Sequence, residues 1–262
     1  MTEPPPVLLD VADGVATVTL NRPTALNALN RAAKRALLDA LDAAQAARVL
    51  VIRGTGRAFC SGQDLREHAE LLRAGDPDEV ASTVREHYNR IALAIADFPA
   101  PVIAAVNGVA AGAGASIAFL ADVRLVSASA GFHLSFVQAG LAADTGCTWT
   151  LPRLIGPTRA MELLMLPRMI SAEESARMGI ATEVIADERF DARVAELAGL
   201  LATGPTVAYR GIRHCVNVGA GASLADTLEA EADAMAEAGR TADHADAVDA
   251  FLAKRPQRFT GR

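Results

Sequence analysis

The hydrophobic pattern alternates between short apolar runs and longer stretches of helical spacing. Val15-Ala16-Thr17-Val18-Thr19-Leu20 is rich in β-branched residues and predicts a strand, ended by Asn21-Arg22-Pro23. Asn27 or Asn30 is placed to cap a helix through about Ala47, with Leu37, Leu38 and Leu41 on one face. Val49 to Arg53 predicts a buried strand, turned by Gly54-Thr55-Gly56. A polar, helix-prone stretch follows from about Leu65 to Ala96, broken by Gly75-Asp76-Pro77. Val102 to Val106 predicts another strand and Gly112 to Ala121 a small-residue helix; Val123 to Ser127 and Phe132 to Val137 predict further strands. A strand–strand–helix rhythm therefore occurs at least twice, with too little identity between the copies to define a repeat.

Beyond Asp144 the pattern turns helical. Ser171-Ala172-Glu173-Glu174 has the form of a capping box, Gly179 supplies a stop, and Ala181 to Ile185 predicts a last strand. From about Asp191 the spacing is helical, with breaks at Gly204-Pro205 and Gly219-Ala220-Gly221. Apolar stripes on that tail need a partner, either the chain's own core or a neighbouring subunit. The expected class is α/β, with residues 1–200 as a core and 201–262 as a C-terminal helical region.

Composition narrows the classes. The chain of 262 residues is 51% hydrophobic but 4% aromatic, which suits close-packed small-residue helices and buried strands. A net charge of -6 argues against general nucleic-acid binding and gives no support for anionic membranes. The one basic run is C-terminal: Lys254, Arg255, Arg258 and Arg262. Cys60, Cys147 and Cys215 are odd in number and lack C-x-x-C spacing, so neither a disulfide framework nor a zinc site is expected. The start, M-T-E-P-P-P, has no secretory n- or h-region, and a cytoplasmic location is expected. Nothing between Asp97 and Asp122 is charged, and Gly108-x-x-x-Gly112 imitates a membrane-helix packing motif. Prolines 99 and 101, Asn107 and the many Gly and Ala residues fit a buried strand, turn and helix better.

Two segments stand out chemically: Ala58 to Leu65, and Ala104 to Ser116. Each runs from a strand-like segment through small residues into helix-like sequence. A helix start exposes unpaired N–H donors, and two converging starts would make an oxyanion hole. Each segment alone reads more readily as an ordinary tight turn in a small-residue core. Gly112-x-Gly114 lacks the third glycine of a dinucleotide fingerprint.

Several segments together resemble the crotonase (enoyl-CoA hydratase/isomerase) superfamily along the whole chain. They are N-R-P-T-A-L-N-A-L at 21–29, G-R-A-F-C-S-G-Q-D-L at 56–65, and P-V-I-A-A-V-N-G-V-A-A-G-A-G at 101–114. G-L-A-A-D-T-G-C-T-W-T-L-P-R-L-I-G at 140–156, A-M-E-L-L-M-L at 160–166 and F-L-A-K-R-P-Q-R-F at 251–259 complete the match. The resemblance implies a spiral of strand–strand–helix turns with a C-terminal helical trimerisation region, in trimers or dimers of trimers. It implies an acyl-CoA thioester substrate, so CoA enters with the substrate and no separate cofactor or metal is expected. By position the oxyanion hole would be the N–H groups of Gln63 and Ala113. Asp64 and Leu65 would order the loop around pantetheine, and Ser61 and Ala25 would lie near the adenine. Phe251 and Lys254 match a terminal segment that in the family reaches CoA, sometimes on the next subunit; a solvated tail charge accounts for Lys254 equally well.

Hydratases of the family use two glutamates to activate water. Alignment places Ser116 and Phe136 at those positions, and neither can act as a carboxylate base. The one acid between Asp122 and Glu162 is Asp144. On its residues alone Asp144 reads as a helix N-cap. The resemblance makes it a proton shuttle, as in dienoyl-CoA isomerases and 1,2-epoxyphenylacetyl-CoA isomerases, with the motif form closest to the latter. Leu141, Trp149 and Phe136 beside it would raise its pKa by desolvation. His68, His87, His133, His214 and His244 show no metal spacing, and Cys60 reads as a small core residue. The expected function is acyl-CoA isomerisation. The alternatives are an enoyl-CoA hydratase of fatty-acid β-oxidation and a non-catalytic acyl-CoA-binding protein.

Overall fold

The computed structural model describes residues 4–75 and 82–262. In chain order its strands are β1 (Val7–Ala12), β2 (Val15–Leu20), β3 (Val49–Gly54), β4 (Ala58–Cys60), β5 (Val102–Val106), β6 (Val109–Ala111), β7 (Val123–Ser127), β8 (Gly131–His133), β9 (Met169–Ser171) and β10 (Glu183–Ile185). Its α-helices begin with α1 (Arg31–Ala43), α2 (Leu65–Arg73), α3 (Asn89–Ala96), α4 (Ala113–Phe119) and α5 (Cys147–Ile155). They continue with α6 (Pro157–Met165), α7 (Ala172–Met178), α8 (Phe190–Ala202), α9 (Thr206–Gly219), α10 (Leu224–Gly239) and α11 (Ala242–Leu252).

Two sheets alternate along the chain. The first has the order β1-β2-β3-β5-β7-β10, parallel except for the β1–β2 hairpin. The second has the order β4-β6-β8-β9, with only β9 antiparallel. Each turn of chain gives one strand to each sheet and then a helix: β3, β4, α2; then β5, β6, α4. This is the expected crotonase-like α/β spiral.

Parallel strands covered on both faces read as continuous apolar runs. Leu50, Ile52, Val102, Ala104 and Val106 face the main core under α1, α3 and α4. The alternate residues Val49, Val51, Ile103 and Ala105 meet Phe190, Val194, Ala198 and Ala202 of α8. The uncharged segment is β5, β6 and α4, and α4 is buried throughout. Among the described residues no helix is long and apolar enough to cross a membrane.

The C-terminal helices are fastened through Arg213 of α9. Its guanidinium pairs with Asp122 at 2.8 Å and donates to the carbonyls of Ile95, Ala96 and Phe98. Asp122 in turn accepts from the Val102 N–H at 2.7 Å, at the start of β5.

The structure corrects several boundaries. Asn30 caps α1 by accepting from the Ala33 N–H, and the helix ends at Ala43. Asn27, left-handed at φ 56°, accepts from the Arg22 N–H and donates to the carbonyls of Thr55 and Ala58. The strand expected from Phe132 to Val137 stops at His133 and gives way to a 3-10 turn over Ser135–Ala139. That turn presents Phe136 to the site. The Asp76-Pro77 part of the expected break lies outside the described residues.

Candidate active site

The two donor segments abut. Gly62 has φ 88°, and a Cβ there would lie 2.8 Å from the Ala111 carbonyl oxygen and 3.3 Å from the Ala113 nitrogen. Gln63 forms a parallel bridge to Leu29, whose N–H donates to Gly62 O and whose O accepts from the Asp64 N–H. That pairing uses the groups on either side of Gln63, so its own N–H points the other way. Ala113 is the first residue of α4, where a helix leaves its N–H unpaired. Gly112, at φ 50° and ψ −125°, makes the turn into α4, and its N–H is held by the His133 carbonyl at 2.9 Å. Gly114 is required for contact with β4: a Cβ there would meet the Cys60 carbonyl oxygen at 2.1 Å.

A cavity of about 260 Å³ collects Gln63, Ala113 and Asp144, together with Ser61, Leu65, Phe136 and Leu141. A larger hollow of about 840 Å³ lies between α9, α10 and the Ala96–Pro99 segment, away from the converging donors.

Asp144 sits in a loop with left-handed residues at Gly140, Thr145 and Gly146. A β-branched residue at φ 53° is strained, so the surroundings must hold Thr145 there. Its side chain is buried, and its hydroxyl donates to Asp144 Oδ1 at 2.8 Å. Ser116 fastens the loop from below, with its hydroxyl 3.3 Å from the carbonyls of Asp144 and Gly112. Ser116 thus serves as a backbone tie. The N-cap reading of Asp144 fails: α5 starts from Gly146 without a side-chain cap. The carboxylate is left to the cavity.

Burial raises the Asp144 pKa above its ordinary 3.8, opposed by the Thr145 hydrogen bond and the charge of Lys34. A base must be ionised to accept a proton. Activity that depends on Asp144 is therefore expected to fall as pH drops through its pKa, on an acid limb above pH 3.8. A pH profile of kcat/KM checks this.

Trp149 corrects one expectation. It is 42% exposed and stacks under the Arg153 guanidinium, 3.9 Å from its ring centroid, rather than lining the cavity. Arg153 lies one helical turn further along α5, within natural reach of it.

The expected CoA-binding residues divide. Ser61 and Ala25 are neighbours, with the Ser61 hydroxyl 3.5 Å from the Ala25 carbonyl. Asp64 caps α2 by accepting from the N–H groups of Arg66 and Glu67, and pairs with Arg22 at 2.9 Å. Burial alone would raise the Asp64 pKa; the Arg22 bond and the two N–H donors outweigh it and hold the carboxyl below its usual range. Leu65 opens α2 with an exposed side chain. Phe251 and Lys254, at the exposed end of α11, are not among the cavity residues.

Two further residues were hidden in the sequence. Lys34 is 2% exposed, and its Nζ lies 3.2 Å from Gln63 Oε1 and 2.6 Å from Thr83 Oγ1. The buried Tyr88 donates its hydroxyl to the same Oε1 at 2.5 Å. The available signal was register: Lys34 precedes Leu37 by three and Leu41 by seven, on the face that α1 buries.

The spiral of two alternating sheets, with paired backbone donors beside one carboxylate, defines a protein of the crotonase fold. The family model described as enoyl-CoA hydratase/isomerase matches residues 10–262, and the chain belongs to that family. It is 42% identical to a probable enoyl-CoA hydratase of Rhodobacter capsulatus, over 97% of both chains. It is 39% identical to the 1,2-epoxyphenylacetyl-CoA isomerase of Escherichia coli, over 98% of both. Among solved structures, an enoyl-CoA hydratase/isomerase of Mycobacterium abscessus superposes with a TM-score of 0.93 at 42% identity, covering 98% of this chain and 100% of that one.

Proposed function

We propose that this enzyme is an acyl-CoA isomerase with Asp144 as proton shuttle. The observation that carries the reading is that Asp144 is the one acid among the residues lining the cavity. Asp144 takes a proton from C2 of a 3-enoyl thioester, and the electron pair moves onto the thioester oxygen. The N–H groups of Gln63 and Ala113 hold that oxyanion. The pair returns through C2=C3 to C4, which takes the same proton back, so water is neither consumed nor released. A raised pKa suits a group that must both accept and return a proton. An acyl group with a ring epoxide fits the same enolate chemistry, as the name of the Escherichia coli relative suggests.

Hydration is the second reading, supported by the name of the Rhodobacter relative. It needs a second group to activate water, and Ser116 and Phe136 offer no carboxylate. The isomerase reading expects 3-hexenoyl-CoA to be converted to the 2-enoyl ester much faster than crotonyl-CoA is hydrated. Parallel assays decide; crotonyl-CoA as the faster substrate would overturn it.

The reading includes a trimer or a dimer of trimers. It is supported by exposed apolar residues on α6, Met161 and Met165, and on the C-terminal helices, Ile212, Val216, Leu228 and Met235. The free cysteines Cys60, Cys147 and Cys215 fit a cytoplasmic setting.

A further inference from the structure

We propose that Gln63 has a second role besides its peptide N–H. Its side-chain amide is a hydrogen-bond donor for an uncharged oxygen on the substrate's acyl chain: a ketone, ether or epoxide. The inference rests on the cavity accepting the acyl group of a CoA thioester.

The orientation of the amide is fixed. A lysine ammonium has donors and no acceptor, so the atom facing Lys34 Nζ at 3.2 Å must be the amide oxygen. Tyr88 occupies the same oxygen at 2.5 Å. With both lone pairs engaged, rotation of the amide would break two bonds at once. The NH2 group then lies on the opposite side. It donates to no group among the described residues, yet no buried side-chain nitrogen or oxygen there lacks a partner. It is therefore not sealed in the protein. Gln63 lines the cavity, and that is where its NH2 is left to bond.

The supporting groups are costly for a role that backbone geometry alone would meet. An oxyanion hole needs only the peptide N–H at this position, and every residue except proline carries that. Here a lysine and a tyrosine are both buried to hold the amide, and burial lowers the Lys34 pKa. Lys34 is braced further by Thr83 and by the Tyr88 ring, whose centroid is 5.0 Å from Nζ. Such investment suits a side chain that must present its donor in one direction. Asp144 in the same cavity disfavours a second carboxylate, which leaves an uncharged acceptor.

The test is calorimetric binding of hexanoyl-CoA and its 4-oxo and 5-oxo derivatives, which are saturated at C2–C3 and need no turnover. The native protein is expected to bind one oxo ester about tenfold more tightly than the plain ester, the worth of a good hydrogen bond. In Tyr88→Phe and in Lys34→Met the preference is expected to fall below about threefold, as the amide is released. A purely structural role would weaken all three esters alike and leave their ratio unchanged. No preference in the native protein, or a preference that survives both substitutions, overturns the donor site and leaves the isomerase reading standing. Failure of every ester to bind overturns both.

Discussion

Asp144→Asn is expected to lower kcat for 3-enoyl-CoA isomerisation by roughly 10²- to 10⁴-fold, the usual contribution of a positioned acid–base group. Asparagine keeps the shape and still offers an oxygen to the Thr145 hydroxyl, so the strained loop retains its tie. KM is expected to change little, because in the proposed mechanism this carboxylate meets C2 and C4 of the acyl chain rather than the CoA moiety. Steady-state kinetics beside a thermal melt separates lost chemistry from lost folding. Wild-type turnover in this variant would rule out Asp144 as the shuttle.

Ala113→Pro should cost about 10²- to 10³-fold in kcat, or about 2.7–4 kcal/mol, by removing one oxyanion donor. Position 113 is unusual in allowing this test without breaking the helix. It is the first residue of α4, where proline is tolerated because that N–H has no intrahelical partner. The preceding Gly112, in a conformation that L residues rarely adopt, relieves the crowding that proline imposes on its neighbour. An unaltered kcat with an intact fold would show that the thioester oxygen is not held there.

Legibility in the sequence followed burial and length. β2, β3, β5 and β7 have five or six residues each, mostly apolar or β-branched, and were readable as strands. β4 and β6 have three residues each, too short for any periodicity, and take their place from pairing in the second sheet. β1 was missed because Leu8 and Val11 face outward, which blurs its pattern. A usable signal lay in Asp13-Gly14, both at positive φ, which turns β1 into β2.

The site divides in the same way. Gln63, Ala113 and Asp144, which line one cavity, were singled out through the family resemblance, because on the residues alone the two segments read as tight turns and Asp144 as a helix N-cap. Lys34 was not, because a lysine on an amphipathic helix reads as solvated until its register with Leu37 and Leu41 is weighed. Trp149 was misplaced because an apolar ring beside a candidate base suggests a pocket wall. Stacking with Arg153 resolves the ring differently, at the surface.

The most direct measurement is a crystal structure with an unreactive acyl-CoA bound. The thioester oxygen should lie about 2.7–3.1 Å from both the Gln63 and the Ala113 nitrogens. One Asp144 oxygen should stand about 3–3.5 Å from C2 and within similar reach of C4. A thioester oxygen held elsewhere, or an Asp144 carboxylate turned away from both carbons, would contradict the account.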